Sequence, residues 1–412
     1  MKKLLLLTLA GAISYVSHAQ FSEFEGNAGS TFTLSSDNNT LQIGGRTSFF
    51  YQYRVMKSYQ GESTNEPKLD KDGFQIKDMD LDLLGKTSSK FVYEFHISLV
   101  DLATAAATNN TANPANPGIK AGYLMYVGWP VHIKFGYDKL PFSLGSISDV
   151  YATPQWSHSN LASGDLFSRR DIGLTLNYET WKSRINAFAG IYSGMGENFY
   201  EYGQDNSGSF EYVGRVEFRY PGKMTYHNVD EENSPVPQLR VGINGRYENK
   251  TQPTGQPTVL QSYPDEVGPY GIRMIDGKRS IYGGDLTVKY KGLSATFEDE
   301  IINMQPVDAN DPLFNATPSS FNKGIIMAGG YVAQVMYNSE KIHSTFSVSY
   351  EDINVNDLIV GDQQWLNLSY AYKVNSFNSV FKIEYYLPEK EDVNSNPLKY
   401  TAQLRVGYQV VF

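Results

Sequence analysis

The chain of 412 residues contains no cysteine. An exported fold without disulfides has to hold itself together by packing and backbone hydrogen bonds, which excludes the small stapled scaffolds of secreted proteins. Long apolar runs are missing as well. Beyond Ile13 no stretch reaches the roughly 18 to 20 apolar residues of a spanning helix, and the nearest, Gly324 to Tyr337, is broken by Gln334 and several glycines. A helical membrane bundle is therefore out. Positive charge is in deficit: 35 Lys and Arg stand against 44 Asp and Glu. That balance disfavours nucleic acid as a partner and leaves room only for a locally basic site. Histidine is scarce, and His18, His96, His132, His158, His227 and His343 show no zinc spacing. There is no phosphate-cradling glycine loop and no redox motif, so no cofactor is expected.

What is abundant points to strands. The chain holds 30 Tyr, 22 Phe, 4 Trp and 36 Gly, a mixture suited to pleated surfaces and tight turns. Its final segment, Thr401 to Phe412, separates into two faces: Ala402, Leu404, Val406, Tyr408, Val410 and Phe412 are apolar, with mostly polar or small residues between them. A period of two over that length marks a strand with one greasy side and one wet side. At the other end, Lys2 and Lys3 precede an apolar stretch from Leu4 to Ile13 and small residues at Ser17 and Ala19, the pattern of a cleaved export signal over residues 1–19. Its removal takes the formal charge from −9 to −11. Residues 20–39 are then expected as an N-terminal periplasmic segment and residues 40–412 as the folded domain.

That domain reads as about sixteen alternating segments, from Leu41 to Val55 and Phe74 to Leu84 through to Ser379 to Leu387 and Lys399 to Phe412, many near the 9 to 11 residues of a tilted transmembrane strand. The links alternate between short ones, such as Gly85 to Ser89 and Glu179 to Ser183, and long ones, such as Met56 to Gly73 and Pro141 to Arg170. Short periplasmic turns and long extracellular loops in alternation are the mark of an all-β, antiparallel transmembrane β-barrel. Its place is the outer membrane of a Gram-negative bacterium, in contact with lipid. One link breaks the rule, Pro221 to Pro237, and predicts either a periplasmic excursion or a displaced strand boundary. Mean hydropathy is negative, as a barrel allows because only alternate residues meet lipid. A soluble β-sandwich would alternate too. Against it stand aromatics near strand ends, including Tyr51, Tyr53, Tyr126, Trp129, Tyr290, Tyr372, Tyr385, Tyr386 and Tyr408, where interfacial girdles would hold them.

Several segments together resemble the phosphate-selective porin O and P family. They are Gly73 to Val100 and, more specifically, Val131 to Leu174, with Gly136, Lys139, Pro141, Phe142 and the run Arg170, Asp171, Ile172, Gly173. Weaker echoes lie at Gly214 to Val216, Gly330 to Tyr337 and Trp365 to Tyr386. The resemblance implies a sixteen-stranded porin, a homotrimer, with loop 141–170 folded into the lumen as the constriction. A loop of that length is usually functional or disordered, and this one ends in Ser168-Arg169-Arg170-Asp171, which would bring guanidinium groups to the pore.

The expected constriction and lumen residues are Lys139, Arg169, Arg170, Arg46, Arg215, Arg240 and Arg405, with Lys77, Arg184, Arg246, Lys289 and Lys382 also facing inward. Acids share those faces, among them Asp80, Asp82, Glu94, Asp285, Glu298, Glu300 and Glu384. The simplest reading is a mixed lumen of mutually compensating charges; phosphate preference is implied by the resemblance alone. Asp78, Asp80 and Asp82 on one strand face could imitate a Ca²⁺ site, and Glu298 with Glu300 a glycosidase pair, but an ordinary lumen face accounts for both. Ser157-His158-Ser159 is the one triplet that imitates a hydrolase. No enzyme is expected. The function read from the sequence is passive diffusion of small hydrophilic solutes, to which the resemblance adds anions such as phosphate. The alternative is a non-conducting barrel subunit of a larger outer-membrane complex, whose lumen would be plugged by its own loops.

Overall fold

The computed structural model describes residues 32–36, 38–56, 72–108, 118–162, 167–194, 196, 209–250, 259–261, 271–274, 277–306, 325–354, 362–390 and 400–412. The predicted export signal lies outside the described residues. The strands are β1 Phe32–Ser36, β2 Asn39–Met56, β3 Gly73–Thr87, β4 Phe91–Ser98, β5 Ile119–Tyr126, β6 Val131–Lys139, β7 Arg170–Thr180, β8 Ile185–Tyr192, β9 Glu211–Tyr220 and β10 Gln238–Lys250. They continue as β11 Val259–Gln261, β12 Gly271–Met274, β13 Gly277–Tyr290, β14 Leu293–Pro306, β15 Ile326–Ser339, β16 Ser344–Asn354, β17 Asp362–Asn375, β18 Ser379–Lys390 and β19 Tyr400–Val411.

Sixteen of these, β2–β10 and β13–β19, pair antiparallel with their neighbours in sequence, and β19 pairs back onto β2. The sheet therefore closes into a barrel of the predicted strand number. At the seam Arg405 stands opposite Gln52 and Leu404 opposite Tyr53. The amide of Gly45 donates to the Phe412 carbonyl at 2.7 Å, and the Phe412 amide returns the bond to Gly45 at 2.9 Å. Gly407 lies in this seam because a Cβ there would sit 2.1 Å from the Phe49 carbonyl oxygen. Closure matters energetically: an open edge would leave a row of unpaired N–H and C=O groups in hydrocarbon, at several kcal/mol each.

The alternation of side chains is inverted relative to a soluble protein. Along β9, Glu211, Val213, Arg215, Glu217 and Arg219 are buried while Tyr212, Val216, Phe218 and Tyr220 are exposed. Apolar residues cover the outside and ionic ones fill the inside, which rules out a sandwich with a dry interior. Exposed aromatics gather at both rims. Trp129, Trp181, Tyr220, Tyr290, Tyr337 and Tyr372 mark the end that carries turns 88–90, 181–184 and 340–343, and Tyr53, Phe74, Tyr212 and Tyr247 mark the other. Tyr386, expected in a girdle, faces the lumen instead and stacks 4.6 Å from Trp365. It neighbours Tyr385 on one strand, so only one of the two can point outward.

Several elements lie outside the sixteen expected strands. Leu99–Thr108 is an α-helix, α1, where a strand end and a loop were expected. Its run of alanines favours helix, and Ser98 accepts from the Asp101 amide at 3.4 Å as a cap. Residues Phe32–Ser36, within the expected periplasmic segment, form β1 against β2. β11 and β12 pair as a separate two-stranded sheet.

The lipid-facing assignment generates a direct test. Ile243 lies near the middle of β10 and is 64% exposed. Ile243→Arg should cost about 2 to 4 kcal/mol in urea unfolding from phospholipid vesicles, whereas a water-facing surface position would change by about 0.5 kcal/mol or less.

Candidate functional site: the barrel lumen

The described residues of the link after β6, 140–162 and 167–169, make their contacts with the inner wall. Leu140 donates its amide to the Arg169 carbonyl at 2.8 Å, which closes the neck of the loop. Phe142 and Phe167 meet edge to face at 5.2 Å and dock with Leu140 and Leu161 on an apolar patch of the inner wall formed by Val213, Ile281, Ile302 and Ile353. A short turn of helix, α2 Leu144–Ile147, follows, capped by Ser143.

Backbone polar groups carried into the lumen need partners, and the wall supplies them. Glu298 accepts from the Gly145 amide at 2.8 Å, Glu351 from the Asn160 amide at 2.8 Å and Glu384 from the Trp156 amide at 3.2 Å. The Lys382 ammonium donates to the carbonyls of Val150, Tyr151 and Gln155 at 3.2 to 3.3 Å. Several inward acids are thus loop anchors. Glu298 is committed to the loop and Glu300 accepts from Asn244 at 2.9 Å, an arrangement of structural contacts. Ser157 accepts from Arg405 at 3.0 Å, so the hydrolase-like triplet contributes to loop fixation as well.

The anomalous link 221–237 also turns inward, and no strand boundary is displaced. Asp230 fixes it by accepting from the amides of Ser234 and Gly292 at 3.0 and 2.8 Å. Val229 packs with Met336, Ala371, Phe377 and Val380. The Tyr226 hydroxyl donates to Glu217 at 2.7 Å and accepts from Arg219 at 2.8 Å, and Arg240 lies over its ring at 4.7 Å. Tyr226 packs on Leu144 and Ile147, and His227 meets Tyr151 at 5.9 Å. The two in-folded segments therefore touch within the barrel, and together they occupy the lumen beside β9, β10 and β13.

Among the described residues, a cavity of about 290 Å³ lies against β2 to β6. Seven cationic side chains face it: Arg46, Lys77, Lys120, Lys139, Arg169, Arg170 and Lys382. Four carboxylates, Asp78, Asp82, Asp101 and Asp149, oppose them. A bulge in the β2–β3 ladder explains how two adjacent residues, Lys77 and Asp78, both reach the lumen. Ion pairs compensate part of the charge: Arg46 with Asp80 at 2.5 Å, Lys120 with Asp101 at 2.5 Å and Lys139 with Asp149 at 2.8 Å. Burial, and then the cations Arg169, Lys139, Lys77 and Arg170, push the His158 imidazole well below its ordinary range. It is neutral at pH 7 and adds no charge there.

Of the predicted lumen residues, Arg46, Lys139, Arg169 and Arg170 come together on this cavity. Arg215, Arg240 and Arg405 do not. Arg215 is sealed between Glu217 at 2.6 Å and Asp285 at 2.7 Å, Arg240 binds the Thr225 carbonyl at 3.1 Å, and Arg405 contacts Gln52, Ser157 and Glu384. Lys120 was overlooked, since its position at the start of β5 acquires meaning only from its approach to Asp101 and Arg170, whose guanidinium donates to the Lys120 carbonyl at 2.7 Å.

A closed sixteen-stranded barrel with an apolar exterior, a charged interior and an in-folded loop defines an outer-membrane channel of the porin class. Comparison with known sequences and structures agrees. The profile of the phosphate-selective porin O and P family matches residues 49–282, more than half of the chain, and the chain belongs to that family. Solved structures share the fold. OmpT of Vibrio cholerae aligns with TM-score 0.54 at 10% identity over 92% of this chain and 100% of its own. The outer membrane channel DcaP of Acinetobacter baumannii gives 0.52 at 11% over 92% and 99%, and an anion-selective porin from Comamonas acidovorans gives 0.50 at 9% over 91% and 100%. No curated protein matches the chain. The protein is thus a Gram-negative outer-membrane channel for small solutes.

The inward course of link 221–237 predicts that it narrows the passage. Replacing residues 223–236 by a two-residue turn should raise single-channel conductance by a factor of about two or more, because conductance follows the open cross-section. Unchanged conductance in planar bilayers would mean that this segment lies outside the conducting path.

Proposed function

We propose that the passage runs along the β2–β6 side of the lumen and favours small anions, phosphate among them. The observation that carries this reading is the surplus of cations on the cavity, seven against four, in a chain whose formal charge is −9. Fixed ammonium and guanidinium groups replace part of an anion's hydration, and guanidinium matches the geometry of an oxyanion. The name of the family and the anion-selective porin among the structural neighbours lend support. Because Asp78, Asp82, Asp101 and Asp149 share the site, the preference is modest and graded across small anions. The porin reading also favours a homotrimer, which cross-linking in native membranes reads directly.

A second reading, a barrel that serves as a non-conducting subunit of an outer-membrane complex, draws on the contact of the two in-folded segments within the lumen. Bilayer recordings separate the two. The first reading expects open-channel conductance with a reversal potential displaced toward the anion side in a salt gradient. Arg169→Gln with Arg170→Gln should move that potential toward zero and lower phosphate permeability several-fold. Cation preference in the wild type, or an unaltered potential in the double variant, would contradict it; absence of conductance would favour the second reading.

A further inference from the structure

Asp82, Glu94 and His96 stand on neighbouring strands of the inner wall. Asp82 lies directly opposite His96 in the β3–β4 ladder, and Glu94, two residues before His96, shares its inward face. One donor atom from each falls within 4.8 Å of the others. Glu94 and His96 are each 6% exposed, while Asp82 and His96 border the cavity. His96 Nδ1 lies 3.1 Å from Asp82 and Nε2 lies 3.4 Å from Asp80. A neutral imidazole has a single N–H and can serve only one of these carboxylates as a donor.

We propose that Asp82, Glu94 and His96 bind a divalent first-row transition-metal ion. In this arrangement His96 donates its Nε2 hydrogen to Asp80, which Arg46 holds at 2.5 Å, and presents the Nδ1 lone pair to the metal. A carboxylate that orients a ligating imidazole in this way is a common support of such sites. Tyr123 donates to Glu94 at 2.6 Å and fixes the second ligand. One imidazole with two carboxylates suits Zn²⁺, Co²⁺ or Ni²⁺, whereas Ca²⁺ takes 6 to 8 oxygen ligands. Asp82 on the cavity gives the ion its route of entry. The site does not require the cavity to conduct.

The test uses the full-length protein in detergent, stripped with a chelator and titrated with Zn²⁺ in equilibrium dialysis and with Co²⁺ by visible absorption. The expected result is one ion per chain, with Co²⁺ bands typical of four- or five-coordination. Tight binding should vanish in His96→Ala and in Asp82→Asn and weaken by about 10- to 100-fold in Asp80→Asn, with the exposed-turn variant His343→Ala as control. Gel heat-modifiability verifies folding, and should His96→Ala fail to fold, the half-exposed Asp82→Asn decides. No stoichiometric ion in the wild type, or full binding in Asp82→Asn, overturns the proposal and leaves His96 as a wall residue held between Asp80 and Asp82.

Discussion

Hydrogen-bonded closure of β19 on β2 is the constraint from which the rest of this molecule follows. In hydrocarbon there is no water to receive a stray amide or carbonyl, so a strand can face lipid only within a sheet that has no edge. Once the ring closes, the period of two along each strand sends alternate side chains to opposite solvents. Tyr212, Val216 and Ile243 meet lipid, and Arg215, Glu217 and Asn244 turn inward. Seam residues show the demand at atomic scale, with Gly45 and Phe412 exchanging two backbone bonds and Gly407 giving the ladder room.

The same inversion creates the problem that the lumen solves. An interior of this width holds too much charge to pack as a dry core, and too many in-folded backbone groups to leave unanswered. Two segments enter it and take up the wall's polar groups. Loop 140–162 is held by Glu298, Glu351, Glu384 and Lys382, and segment 221–237 by Asp230, Glu217 and Arg219. The charges that a sequence reader would place in a pore are thereby divided. Those beside β9 and β10 hold the scaffold, and those beside β2, β5 and β6 line the cavity.

The division between what was and was not legible in the chain follows from the range of the forces involved. All sixteen barrel strands could be read, because each carries its signal within about ten residues: alternation along the strand and turn chemistry at its ends. Helix α1 was missed because its signal is propensity rather than alternation. Link 221–237 announced itself by its length, yet nothing local says that Val229 and Tyr226 will turn into the lumen; that depends on Phe377, Met336 and Leu144, far away in the chain. Arg46, Lys139, Arg169 and Arg170 line one cavity, while Arg215 looks the same in sequence and is paired with Asp285, 70 positions on. Asp82 and His96 likewise become neighbours only through the β3–β4 register.

We propose that solutes cross the barrel beside β2–β6, where the described in-folded segments leave a cavity. Liposome swelling with reconstituted protein and solutes of graded size tests this most directly. The account predicts rapid swelling with phosphate and other small solutes and a steep decline as solute size approaches that of the 290 Å³ cavity. No swelling with any solute, or rates that are indifferent to size, would contradict it.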